Sequence, residues 1–172
     1  MEEESKEVEK QEEAQDSAQS ISQEELNLKI EELKLEQNLP FAIIAGAGSA
    51  IVMAILWAAI TVATGYQIGY MAIAVGFVVG YAVRYAGKGI DQIFGITGAL
   101  TALFGCILGN FLAIIGFLAN EYELGYFEIL TNLDFSILLE LMKETFDMVD
   151  LLFYGIALYE GYKFSFRKIT EG

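Results

Sequence analysis

Within the long apolar stretches of this sequence, side chains able to do chemistry are few: Thr61, Thr64, Thr97, Thr101, Asn110 and, near the end of the last stretch, Glu160. An amide or a carboxylate placed in hydrocarbon must find a hydrogen-bond partner, so Asn110 and Glu160 are the first candidates for a functional contact. Asn110 stands beside a row of glycines, and an interhelical structural bond is its expected role ahead of a substrate contact. Glu160 and Lys163 are three residues apart and can pair on one helical face, as an anchor near the membrane surface rather than a proton relay. Arg84, Lys88 and Asp91 surround Gly87 and Gly89, where acid and base can pair or bind a lipid head group, with a structural turn as the default.

What is missing excludes several chemistries. There is no histidine and a single cysteine, Cys106, in an apolar run. The usual ligands of zinc and haem and the usual base of Ser/His or Cys/His catalysis are therefore lacking. Gly46-Ala47-Gly48-Ser49 has no third glycine at the spacing of a nucleotide-binding loop and no strand before it. The acids between 120 and 150 show no EF-hand spacing. Neither an enzymatic activity nor a metal, a cofactor or a nucleic-acid partner is expected.

The elements that carry these residues follow from charge segregation. The chain is 55% hydrophobic with a net charge of −14 and a mean hydropathy of +0.45. Thirteen of its 24 acids fall in residues 1 to 39, whereas 41 to 120 hold one acid, Asp91, and two bases, Arg84 and Lys88. An acidic, disordered tail (1–21) is thus expected ahead of an apolar body. The start Met1-Glu2-Glu3-Glu4 lacks the basic region of a cleavable signal, so the first apolar helix is expected to direct insertion.

Ser22-Gln23-Glu24-Glu25 reads as a capping box flanked by an Ile21/Leu26 staple, predicting a cytoplasmic helix over 22–39. Its leucines and isoleucine fall on two faces: Leu26, Ile30 and Leu33 on one, Leu28, Leu35 and Leu39 nearly opposite. Such a helix suits a place between its own membrane domain and a partner or the bilayer surface. Asn38 and Pro40 mark the start of the next helix.

The membrane domain is expected over 40–168, with spans at 41–64 (TM1), 68–85 (TM2) and 93–119 (TM3) set by uncharged length. Residues 120–150 carry eight acids and one base yet stay rich in apolar side chains, predicting an external amphipathic helix capped by Asp134. The stretch 151–166 is short for a span. Counting it as TM4 gathers nine of the ten bases on the cytoplasmic side, leaving only Lys143 outside, so four spans are preferred over three. The fold class expected is all-α: a four-span helical bundle with both termini cytoplasmic, an external amphipathic helix and a cytoplasmic N-terminal helix.

Small residues recur at helical spacing in all three longer spans. TM1 offers Ala47, Ala50, Ala54, Ala58 and Thr61; TM2 Gly69, Ala72, Gly76 and Gly80; TM3 Gly95, Gly98, Ala102, Gly105, Gly109 and Gly116. In lipid such stripes let backbones approach, so packing within one chain is expected first and a homo-oligomeric interface second.

The turn Gly87-Lys88-Gly89-Ile90-Asp91 and the closing run from Thr145 through Asp147, Asp150, Tyr154 and Glu160 to Tyr162 resemble segments of a group of small, uncharacterised bacterial four-helix membrane proteins. The resemblance covers roughly 40–168. It implies a bundle in the bacterial inner membrane and brings no catalytic residue with it. The expected role is a non-enzymatic scaffold or accessory subunit, in contact with the bilayer and with a copy of itself or another membrane protein. The alternative is a small oligomeric transporter or channel using Asn110, Thr97 or Thr101.

Overall fold

The computed structural model describes residues 23–66, 69–132 and 135–167, and every regular element among them is an α-helix. The expected acidic tail, the Ser22 cap and the Asp134 cap lie outside the described residues. The chain divides into two compact units, 1–36 and 37–172. In the first, α1 covers 23–35, and Leu28 and Leu35 on its second apolar face are exposed.

The second unit contains α2 (Leu39–Thr64), α3 (Tyr70–Gly87), α4 (Gln92–Glu121), α5 (Tyr126–Asn132), α6 (Phe135–Thr145) and α7 (Met148–Phe164). Helix α2 begins where Asn38, in extended backbone, accepts a hydrogen bond from the Phe41 amide at 3.1 Å, with Pro40 in the first turn where no amide donor is needed. It ends at Gly65, whose left-handed backbone (φ 71°) closes the last turn onto the Thr61 carbonyl. Helices α2, α3 and α4 are long and apolar enough to cross a membrane. Their outward faces carry exposed large apolar side chains, among them Ile44, Val52 and Ile55 on α2 and Leu100 and Phe104 on α4. A belt of that kind suits hydrocarbon rather than water.

Helix α7 is shorter, 17 residues or about 25 Å at the standard rise, and includes Asp150, Glu160 and Lys163. It packs against α3 and α4, while α2 and α7 stand on opposite sides with α3 and α4 in contact between them. Cross-contacts fix the directions. A side chain at Gly46 would meet Val83 and Thr101, and one at Gly105 would meet Val75 and Ala50, so α2 and α4 run one way and α3 the other. Gly69 faces Phe153 and Gly80 faces Phe164, so α7 runs parallel to α3.

The region 120–150 departs from the single amphipathic helix expected there. It breaks into α5 and α6, and α6 stops at Thr145. The stop has a local cause. Asp147 accepts from the Met148 amide at 2.6 Å while the Asp150 carboxylate accepts from the Asp147 amide at 3.0 Å, a reciprocal cap that starts α7 three residues ahead of the expected 151. Asp147 and Asp150, two of the eight acids of this segment, satisfy amide donors at a helix N-terminus.

The core of the bundle joins Trp57, Met53, Val75, Val79, Val83, Phe94, Cys106 and Tyr154. A second cluster, Ile114, Ile115, Ala119 and Ile129, seats α5 on the end of α4.

Candidate functional site

The small residues expected to set helix spacing lie mostly where helices meet. Gly76, Gly80, Gly98, Ala102, Gly105 and Gly109 are buried, as are Ala54 and Ala58. Ala47 is half-buried, and its neighbour Gly46 is the α2 residue that faces α3 and α4. The tightest approach joins α4 to α7: a side chain at Gly98 would run into the Gly161 carbonyl and the Ser165 hydroxyl, and one at Gly161 would sit 2.6 Å from the Gly98 carbonyl. On the other face of α7, a side chain at Gly76 would lie 2.6 Å from the Ala157 carbonyl. At both places backbone touches backbone.

Asn110 is 3% exposed and donates through Nδ2 to the Tyr154 hydroxyl at 3.1 Å, and that hydroxyl lies 3.5 Å from the Cys106 carbonyl. This small polar relay fastens α4 to α7. Beside it opens a cavity of about 400 Å³, bounded by Leu139, Met142 and Phe146 and bearing Asn110, Tyr154 and Lys143 as its polar groups. It is roomy enough for a small organic molecule or an acyl chain. Thr97 and Thr101 turn back on their own helix, donating to the Ile93 carbonyl at 2.8 Å and the Thr97 carbonyl at 2.6 Å, the usual resting place of a membrane-helix hydroxyl. The Thr61 hydroxyl is fully buried and makes no hydrogen bond among the described residues.

At the opposite end the remaining candidates gather. Asp91 begins α4, and its Oδ2 accepts from the Gln37 side-chain amide at 2.9 Å. Gln37 in turn accepts from the backbone of Ile90 at 3.1 Å and Asp91 at 3.3 Å. The Asn38 amide donates to the Gly87 carbonyl and the Arg167 amide to the Gly89 carbonyl, both at 2.8 Å. Together these bonds tie the start of α2, the α3/α4 turn and the end of α7 into one polar collar. Lys88 closes α3 in left-handed backbone (φ 48°). Arg84 is 9% exposed, with its guanidinium 5.7 Å from the Tyr81 ring.

The pairing expected between Glu160 and Lys163 does not form. The Lys163 ammonium lies over the Tyr159 and Phe164 rings at 5.4 and 5.8 Å, and Glu160 Oε2 is buried with no hydrogen-bond partner among the described residues. The faces of these two rings, both on α7, offer the lysine an alternative to a carboxylate.

Sequence reasoning missed Tyr154 as the partner of Asn110 and Gln37 as the partner of Asp91. It also missed the Asp147/Asp150 cap. Only the cap had a local signal, two acids three residues apart ahead of an apolar run; the other two partners lie 44 and 54 residues away along the chain.

No family model matches the chain, and no curated protein or solved structure is similar to it.

Proposed function

We propose that the chain is a non-enzymatic integral membrane protein with four spans, acting as a scaffold or accessory subunit of a membrane assembly. The observation that carries this reading is the contact of backbone with backbone at Gly98/Gly161 and Gly76/Ala157, which locks α7 against α4 and α3 and makes a rigid framework. The fourth crossing is supported by the course of α7, which runs beside α3 from Gly69 to Gly80 and ends hydrogen-bonded to the α3/α4 turn. Lys163 and Arg167 then lie on the side of Arg84 and Lys88, taken as cytoplasmic by the positive-inside rule. Its short length is offset by Tyr162 and Phe166, whose rings meet at 5.0 Å near the interface, and by Lys163 reaching outward.

Two experiments test this. With Cys106→Ala as background, Ser136→Cys should react with a membrane-impermeant maleimide on intact cells and Thr170→Cys should not; labelling of both removes the fourth crossing. Affinity purification from native membranes in mild detergent, with cross-linking beforehand, should return the same membrane partner or a second copy of the chain in repeated preparations. Recovery of the monomer alone each time counts against a scaffold.

The cavity beside Asn110 favours a second reading, a small transporter in which Asn110 and Tyr154 contact the solute. Solute flux in proteoliposomes that Asn110→Leu abolishes supports it, and absence of flux for ions and small solutes removes it.

A further inference from the structure

Four bases converge where α3 and α7 end side by side. One cleft, of about 280 Å³, is lined by Tyr81, Arg84, Lys163, Phe164, Phe166 and Arg167. A second, of about 190 Å³, is lined by Arg84, Tyr85, Lys88 and Arg167. Arg84 and Arg167 line both clefts. The bases come from different elements: Arg84 from the last turn of α3, Lys88 from its cap, Lys163 from the last turn of α7, and Arg167 from just beyond it. We propose that this pocket binds a phosphate group, and that the phosphate is the head group of an acidic phospholipid lying against the α3/α7 seam.

Several observations converge on that ligand. Arginine presents a planar fork of donors that matches phosphate oxygens, and lysine adds a point charge that can adjust to them. Arg84 is nine-tenths buried, which places it at the floor of the cleft, whereas Lys163 is exposed at the rim. The aromatic wall is apolar: Phe77 packs on Phe164 at 4.9 Å and Tyr81 on Phe164 at 5.3 Å, forming a surface along which an acyl chain can lie toward the bilayer middle. A basic pocket between helices, open to lipid on one side and at head-group height, is the general form of an anionic-lipid site.

Helix C-termini also attract bases, through the negative end of the helix dipole. That accounts for Arg84 and Lys163. It also favours the charge of Lys88 at the cap of α3, although a side chain at that left-handed position costs about 1 kcal/mol relative to glycine.

The site stands on α3 whether or not α7 crosses the membrane. The lipid source rests on the four-span reading, and the maleimide labelling above tests the crossing separately. The full chain is purified in neutral detergent and its thermal unfolding followed during titration with short-chain phosphatidylglycerol, short-chain phosphatidylcholine or inorganic phosphate. Phosphatidylglycerol should raise the melting temperature in a saturable, salt-sensitive way and phosphatidylcholine should not. Lys163→Gln/Arg167→Gln at the rim should weaken the apparent affinity by about fivefold for each base removed, and Lys143→Gln, far from the cleft, should leave it unchanged. Lys88→Gly separates binding from folding: it should raise the melting temperature without lipid and weaken the response to phosphatidylglycerol. Inorganic phosphate that competes with phosphatidylglycerol supports the same pocket taking phosphate from solution; phosphate without effect supports the lipid as its sole source. Equal responses of wild type and Lys163→Gln/Arg167→Gln to phosphatidylglycerol, or an equal loss in Lys143→Gln, overturn the proposal.

Discussion

The two ends of the bundle are closed by different physics. At one end, parts of the chain some 50 to 80 residues apart are joined by hydrogen bonds: Asn38 to Gly87, Gln37 to Asp91 and Arg167 to Gly89. At the other end, the backbone bonds outside the helices are local among the described residues, such as Leu124 to Ala119 and Ile129 to Gly125, and α5 and α6 rest on α4 through apolar side chains. Phe127 and Met148 there are 82% and 80% exposed. Hydrogen bonds fix position and direction together, whereas apolar contact is non-directional and lets a short helix settle in more than one way. The collar end is thus built to hold a geometry, and the end under α5 and α6 to cover a surface. The cavity of about 400 Å³ lies on the covering side, beneath α6. The cluster of bases lies on the collar side.

The strongest way to break this contrast is to separate the backbones next to the collar. Gly98→Leu drives a side chain into the Gly161 carbonyl, which has no rotamer to retreat to, and the expected loss is about 3 kcal/mol or more. Gly125→Leu, between α4 and α5, meets open space and should shift stability by no more than about 0.5 kcal/mol. Thermal unfolding and size-exclusion profiles in detergent measure both. Equal stability of the two variants would mean that α4 and α7 do not pack through Gly98.

That asymmetry was partly legible in the sequence. The glycine and alanine spacing of α3 and α4 located the buried faces, because in lipid the small residues themselves mark the places where backbones approach. In α2 the residues Ala50, Ala54, Ala58 and Thr61 of the row are buried, and only its first member differs: Gly46, not Ala47, meets α3 and α4 there, because the row steps by four from Gly46 and a single sequence does not say where it begins. The collar was not legible at all. Its bonds pair Gln37 with Asp91 and the Arg167 amide with the Gly89 carbonyl, and neither side-chain chemistry nor spacing announces a contact 54 or 78 residues away. Glu160 shows the converse error: a pair allowed by helical spacing lost to the Tyr159 and Phe164 rings, neighbours of Lys163 on α7 itself.

Caps sharpen the contrast at intermediate cost. Asn38→Ala removes the acceptor for the Phe41 amide at the collar and should cost about 1 kcal/mol. Asp147→Ala removes the acceptor for the Met148 amide where α7 starts, with a similar intrinsic cost. The two should differ in reach. Loss of Asn38 frays a helix start still held by the Gln37 bonds, so hydrogen exchange should rise only in the first turn of α2. Loss of Asp147 leaves the start of α7 held by its packing and by the single bond from the residue 147 amide to the Asp150 carboxylate, and exchange should rise at Met148 and into the α6/α7 link. The same exchange pattern at both ends would show that the collar bonds carry no restraint of their own.

The smallest effect belongs to the polar relay between the two regions. Tyr154→Phe keeps the ring that meets Phe146 at 5.8 Å and removes only the hydroxyl that accepts from Asn110. Interhelical hydrogen bonds in membranes average about 0.6 kcal/mol, because an unfolded chain in lipid also finds partners, so the stability change should be of that order. Its value lies in what else moves. Asn110 and Tyr154 both border the cavity, so deleting the hydroxyl alters its polar lining with little change of volume. If the relay is purely structural, Tyr154→Phe and Asn110→Leu should both lower stability modestly and leave every transport or partner-binding readout as in the wild type. A change in solute flux in Tyr154→Phe with stability intact would instead move the functional centre of the molecule from the collar end to the cavity under α6.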